Sequence, residues 1–293
     1  MSTSPCEFCN DPVSIEAEYC PHCSQPRLFP NVRKAEQSED REALQRRYDQ
    51  AVANAKSRGC DAVRQEFEKA VSSSRAVLAA TIDKLQPIAN GQVDLFSTFY
   101  DLNRKRVSAR NSKPGEPDWD KLRPVVESGL FGDQGKDEVI HAALTLLERS
   151  LPTYGECHLL LRESHSAHRL SAFEENSIGF FIKKNVTVAD TEVAIRGYRS
   201  SWKDRHLLAV AKLESKLHSA MTPAEFPGIL LKEGASGADD EFIELHLFGP
   251  MTLKTVEKLT VVRTRNGRPG TAKLKALKER VIAASAGYAE VPL

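Results

Sequence analysis

Apolar residues recur at helical spacing through a long polar stretch, residues 36–86: Leu44, Tyr48, Ala51, Ala55, Val63, Phe67, Ala70, Val77, Leu78, Ile82 and Leu85. That spacing predicts one or two long helices. The stripe is thin and rich in small Ala positions, which suits a helical hairpin or coiled coil with Gly59 as the break and Pro87 as the stop. Unbroken, about 50 residues at about 1.5 Å each make a rod of about 75 Å. Such a rod spaces the segments on either side of it or pairs with a second copy; packing on the chain's own globular domain is the competing arrangement. Residues 93–102, VDLFSTFYDL, add aromatic and Leu anchors that dock this arm on the domain that follows.

From Asp118 onward the pattern is compact. Residues 136–150 place Val139, Ile140, Ala143, Leu144 and Leu147 on one helical face, with His141 at its boundary. The run CHLLL (157–161) is short, apolar and strand-like. LSAFEENSIGFFIKK predicts a second strand with a turn at 174–176, and RGYRSSW (196–202) a loop. A helix follows, with Leu207, Leu208, Val210, Ala211, Leu213 and Leu217 inward and Asp204 in its first turn. GASGADD (234–240) is a loop feeding the alternating strand EFIELHLFG, in which Phe242, Leu245 and Leu247 sit among polar residues. A Gly249-Pro250 turn and the amphipathic TVEKLTVV complete the pattern. The expected fold class is α+β, a mixed or antiparallel sheet with packed helices. The expected division is 1–30, 31–103 (helical spacer), 104–121 (basic, Pro/Gly-bearing linker) and 122–293 (effector domain).

Cysteine usage defines the first division. Four of the six Cys stand as Cys6-x2-Cys9 and Cys20-x2-Cys23, with ten residues between the pairs. Two such knuckles bring four thiolates to one tetrahedral ion, and Cys-Pro-His-Cys at the second resembles a zinc ribbon. Four Cys ligands leave no open position, so the expected zinc is structural. His22 is read as a solvent-facing turn residue. Cys60 and Cys157 stand alone, Cys157 as a buried strand residue. The N-terminus MSTSPCEFC lacks signal-peptide regions and no run approaches about 18 apolar residues, so a cytoplasmic protein with no membrane partner is expected. Net charge is +1, which gives the whole chain no electrostatic footprint for nucleic acid.

The densest chemically able stretch is 154–181, with three His, two Arg and four Glu. An early strand ending in Arg, a second segment bearing Ser, and a late strand opening on Glu before a Gly-Pro turn together resemble the Arg-Ser-Glu arrangement of ADP-ribosyltransferase-like domains, over roughly residues 122–262. The resemblance implies NAD as cofactor, Arg162 (or His158) holding it, Ser171 (or Ser177) supporting the site, and Glu244 against the nicotinamide ribose. The chain departs from that pattern at Phe242, where the family has Gln or Glu; a shifted register makes Glu241 the catalytic candidate with Asp239 two places before it. A carboxylate against the sugar would stabilise an oxocarbenium-like transition state, Arg would neutralise pyrophosphate, and Tyr198 and Trp202 would stack on nicotinamide or adenine. Glu244 as an outward strand residue, Arg162 as an ion-pair partner and Trp202 as a core anchor are the bland alternatives. LFGD, YGECHLLLRES and FEENS together also resemble an uncharacterised bacterial family.

Two other classes stay open. In a nuclease, His165 and His168 would act as general acid and base beside Glu174 or Glu175. In a nonenzymatic adaptor, the ribbon and basic segments would bind an unknown nucleic-acid or protein target while the helices pair into a homodimer. Arg104, Lys105, Arg106, Arg110 and Lys113 make one basic loop, and residues 263–280 carry seven Lys or Arg against one Glu. No Walker loop, GxGxxG, HExxH or GxSxG motif is present.

Overall fold

A computed structural model describes residues 3–6, 9–14, 17, 19–25, 27–104, 119–187, 190–235, 237, 239–263 and 271–292. The chain opens with two short paired strands, β1 (Thr3–Pro5) and β2 (Pro12–Ser14), followed by α1 (Pro30–Ala35), α2 (Ser38–Ser57) and α3 (Asp61–Ser72). Next come β3 (Arg75–Ala80), α4 (Ile82–Ala89), α5 (Phe99–Arg104) and α6 (Trp119–Gly135), the last bent at Gly132. The middle of the chain supplies β4 (Val139–Thr145), β5 (Cys157–Leu161), α7 (Glu163–Ser166), β6 (Leu170–Phe173), α8 (Ser177–Lys184), α9 (Thr191–Ala194), β7 (Arg199–Ser201) and α10 (Arg205–Leu213). The remainder is α11 (Phe226–Leu230), β8 (Leu231–Lys232), β9 (Glu241–Phe242), β10 (Glu244–Phe248), β11 (Val256–Arg263), α12 (Thr271–Ala283) and β12 (Gly287–Pro292).

One eight-stranded sheet, in the order β12-β11-β5-β3-β4-β10-β6-β7, organises these elements. Every pair is antiparallel except β11–β12, which are joined through α12. Side chains alternate across a sheet, and the register sorts them into two faces of different chemistry. One face carries Ala76 and Ala80, Ile140, Ala142 and Leu144, Leu159 and Leu161, Leu170 and Ala172, Leu245 and Leu247, and Leu259 and Val261. These residues join the main core with Leu44, Phe67, Leu85, Leu208, Leu213, Leu277 and Val281 from the helices above them. The opposite face is mixed. It sets His141, Glu244, His246, Ser171 and His158 among Val77, Ala143, Phe173 and Leu160. There α6 and α8 cover the β6–β10–β4 end with a second cluster that includes Val126, Leu130, Phe131, Ile178, Phe180 and Phe181.

The sheet divides internally. Strands β3 and β4 pair from Arg75↔Thr145 to Val77↔Ala143. Beyond that point β3 continues to Ala80 against β5 alone, and β4 continues back to Val139 against β10 alone. The two central strands therefore diverge, and a cavity occupies the split.

The stretch expected to be a helical spacer is built otherwise. It breaks at Gly59, whose φ of 68° ends the first helix as predicted, but after α3 the chain crosses the middle of the sheet as β3. Helices α2 and α3 pack on α10 of the same chain, so no long rod forms. Pro87 lies inside α4 and the helix runs on to Ala89. Residues 139–145 are a strand, not the expected helix: β4 is buried on both faces, and its near-continuous apolar run mimics a helical stripe. After the 174–176 turn the chain enters helix α8 rather than continuing as strand, with the Asn176 side chain accepting from the Gly179 amide as cap. Part of the 196–202 loop is the edge strand β7. The α+β class holds, with CHLLL, LSAF, ELHLF and the 205–213 helix as expected.

Candidate functional site

At the N-terminus, Cys6 Sγ lies 3.7 Å from Cys23 Sγ and Cys9 Sγ lies 3.6 Å from Cys20 Sγ. Four sulfurs about 2.3 Å from a tetrahedral ion are separated by about 3.8 Å, so the cluster has the dimensions to hold one metal ion such as zinc. Each knuckle closes in the same way. Asn10 and Ser24, the residues after the second Cys of each pair, take left-handed backbone at φ 65° and 58°. Their amides donate to Cys6 O and Cys20 O, and the His22 amide points at Cys20 Sγ. The His22 side chain is not needed as a ligand.

The second cluster is on the mixed sheet face. In β10, Glu244 and His246 are two residues apart and so share a face; the register sets His141 of β4 directly beside His246. His246 Nε2 lies 2.7 Å from Glu244 Oε1, and Asn176 Nδ2 donates to Glu244 Oε2 at 3.3 Å. His141 Nε2 is 3.9 Å from Glu244 Oε1 and 3.1 Å from Glu127 Oε1 of α6. The close approach to Glu127 lies outside hydrogen-bond alignment, and Nε2 of His141 has no hydrogen-bond partner among the described residues. Arg123, one helical turn before Glu127, donates to its Oε1 at 2.7 Å and lies over the Phe99 ring.

Both Glu244 and His246 are almost fully buried. Burial alone would raise the Glu244 pKa; the hydrogen bond from His246 and the neighbouring His141 and Arg123 outweigh it and hold the carboxyl at about 2. Burial pushes His246 down, so its neutral ring donates Nε2–H to an ionised Glu244. Burial likewise opposes ionisation of Glu127, but His141 and Arg123 keep it below the usual carboxylate range.

Glu244 and His141 form part of the wall of the cavity in the β3/β4 split, of about 410 Å³. The lining is mixed: Arg123, Asn176, Tyr154 and Lys84 add polar groups to apolar side chains such as Ile140, Leu151, Phe242, Leu85, Phe96 and Phe99.

The structure brings few of the other sequence candidates to this cavity. Arg162 lies past the end of β5, with β3 and β4 between it and β10, and its guanidinium donates to the carbonyls of Lys254, Val256 and Ser285. Ser171 sits opposite His246 in β6, its hydroxyl accepting from Asn31. Ser177 opens α8 and is buried. Glu241 makes exposed ion pairs with Lys216 and Lys232. Trp202 is a core anchor: its indole donates to Glu163, and Arg205 stacks on its ring. Tyr198 stacks under Arg47 outside the cavity. His158 Nδ1 accepts from the Ser150 amide while Nε2 donates to Gly155 O. His165 and His168 are exposed, whereas Glu174 pairs with Arg47 and Glu175 with Lys183.

Of the basic segments, residues 105–118 and 264–270 lie outside the described residues. On α12, Lys273 pairs with Asp83, Arg280 with Asp94, and Lys278 lies over Tyr288. No helix among the described residues is long and apolar enough to cross a membrane. Comparison with protein-family models and with curated proteins finds no match to this chain.

Sequence reasoning singled out Glu244 but passed over His246, Glu127 and Asn176, and treated His141 as a boundary residue of a helix. The i, i+2 spacing of Glu244 and His246 in an alternating strand was the available signal.

Proposed function

We propose that the α/β domain is an enzyme acting on a small organic molecule held in the β3/β4 split, with the reacting end of that molecule against Glu244 and His141. The observation that carries this is a buried, ionised carboxylate at the wall of a cavity of about 410 Å³. Small-molecule sites are typically apolar cavities of roughly 300–1,000 Å³ with a few convergent polar groups, and perturbed titration within such a cavity marks candidate chemistry. Glu244 offers an acceptor for an O–H, N–H or developing positive charge, and Arg123 offers a cation to an anionic substituent. Burial of the Glu244 carboxylate strengthens its interactions. The four-cysteine ribbon is a structural module that holds the N-terminal segment in shape.

NAD-dependent transfer is a second reading. Glu244 facing a cavity favours it, with Arg123 in place of Arg162 as the guanidinium available to a phosphate. Ser171 then has no part in the chemistry.

The test is a thermal-shift screen of a metabolite panel that includes NAD, followed by turnover assays on every compound that stabilises the protein. Wild type should gain stability with at least one compound and convert it, and Glu244→Gln, shown to be folded by far-UV circular dichroism, should lose at least about 100-fold in turnover. Glu241→Ala, on the surface, should behave as wild type. If no compound binds, or if Glu244→Gln turns substrate over at the wild-type rate, the reading is wrong. NAD as the converted compound would select the transferase class.

A further inference from the structure

We propose that His141, Glu244 and His246 hold a divalent transition-metal ion at the wall of the β3/β4 cavity, separate from the ion of the four-cysteine ribbon. The inference concerns the same cavity as the proposed enzyme and supplies the group around which its chemistry would be arranged.

One ring nitrogen each of His141 and His246 and a carboxylate oxygen of Glu244 lie within 4.8 Å of one another. A first-row ion bound at about 2.0–2.2 Å from each separates its ligand atoms by roughly 3 to 3.5 Å. The observed separations of 2.7 Å (Glu244 to His246) and 3.9 Å (Glu244 to His141) bracket that range, so small side-chain rotations complete the triangle once the neutral His246 ring takes its Nδ1–H tautomer and the ion replaces the hydrogen bond to Glu244. The sheet enforces the arrangement. Glu244 and His246 project from one strand at i, i+2, and the β4 register sets His141 alongside.

The surroundings point the same way. Buried polar atoms are nearly always satisfied, yet Nε2 of His141 lacks a hydrogen-bond partner among the described residues. That nitrogen lies 3.1 Å from Glu127 Oε1 and 3.9 Å from Glu244 Oε1, and a cation between them would give it the partner it lacks. Two carboxylates, Glu244 and Glu127, share this buried corner with the two histidines, so nitrogen and oxygen donors converge there. Two imidazoles and a carboxylate suit Zn²⁺, Fe²⁺ or Co²⁺ over Mg²⁺ or Ca²⁺, which take oxygen ligands. Glu127, held by Arg123, is placed to orient His141 or to add a fourth oxygen. Because His141 and Glu244 both border the cavity, the ion keeps positions open on that side for an oxygen or nitrogen of the bound molecule.

The experiment uses the full chain with zinc in the ribbon, dialysed against a weak chelator and titrated with Co²⁺. Metal per chain is counted by elemental analysis and the site is identified by visible absorption. Wild type should take up one Co²⁺ with d–d bands and no sulfur-to-cobalt charge transfer, since nitrogen and oxygen ligate it. His141→Gln, at a partly exposed position, should weaken this uptake by at least about tenfold, the scale seen when even an outer partner of a metal ligand is lost. Glu241→Ala should leave it unchanged. Uptake confined to thiolate-type absorption, or non-thiolate uptake of equal affinity in folded His141→Gln, overturns the inference; if that variant does not fold, the wild-type spectrum and stoichiometry decide. A compound bound and converted by metal-free protein would refute the ion and leave the pocket enzyme standing. Metal uptake with no compound binding would do the reverse.

Discussion

His158 and Glu244 are both buried sheet residues on the mixed face, and burial acts on them with opposite outcomes. His158 has only a backbone donor and a backbone acceptor as close partners. With no anion to favour the charged ring, burial pushes its pKa from 6.5 to about 4, helped by Arg149 and opposed by the hydrogen bond to Gly155. Unfolded chain binds this proton below about 6.5 and folded chain does not until about 4. Stability is therefore lost as pH falls through that window, by up to about 3 kcal/mol at about 1.4 kcal/mol per unit. Denaturant titrations of His158→Gln between pH 7 and 4 should show a correspondingly shallower acid loss than wild type. An unchanged slope would mean that His158 titrates normally in the fold. Glu244, by contrast, has a donor in His246 and cations in reach, and stays charged. From sequence, Glu244 was recognisable as a candidate carboxylate, but the two histidines that set its state were not, because one stands on another strand.

At the level of elements, apolar periodicity failed where strands are buried on both faces. VIHAALT and RAVLAA carry apolar residues at nearly every position, and a helix stripe fits such a run as well as a strand does. CHLLL, being shorter, read correctly. The positions of β3 and β5 are in turn fixed by a glycine. Gly155 has φ +136°, and a Cβ there would lie 2.2 Å from the backbone carbon of Ala80, at the end of β3 where the sheet splits. No side-chain adjustment relieves a clash with main chain. Gly155→Ala should destabilise the protein by about 3 kcal/mol or more, through overpacking and backbone strain together, read as a lower denaturant midpoint. Gly228→Ala, where a Cβ meets nothing within 4 Å, is the matched control and should cost well under about 1 kcal/mol.

At the scale of the whole molecule, the ribbon and the sheet rest on different forces. The ribbon's own cluster is Cys6, Val13 and Cys20 with Cys9, Ala17 and Cys23 beside them, too small to hold two three-residue strands without an ion. The sheet has a continuous core of its own between β-strands and α2, α3, α4, α10 and α12. Strong chelation should accordingly expose residues 3–25 to rapid proteolysis while the α/β domain keeps its far-UV circular dichroism and most of its Tm. Loss of both together would show that the ribbon is integral to the domain. The sequence determined by itself what depends on local spacing: the paired CxxC knuckles, the break at Gly59, the strands CHLLL and ELHLF, and the 205–213 helix. Only tertiary structure decided that β3 enters the sheet from within a helical stretch, that it parts from β4 beyond Val77, and that His141, Glu244, His246 and Glu127 meet at that parting. Those outcomes rest on strand order and register, which join residues from tens to over a hundred positions apart through backbone pairing and shared burial, and no local pattern encodes which strands will be neighbours.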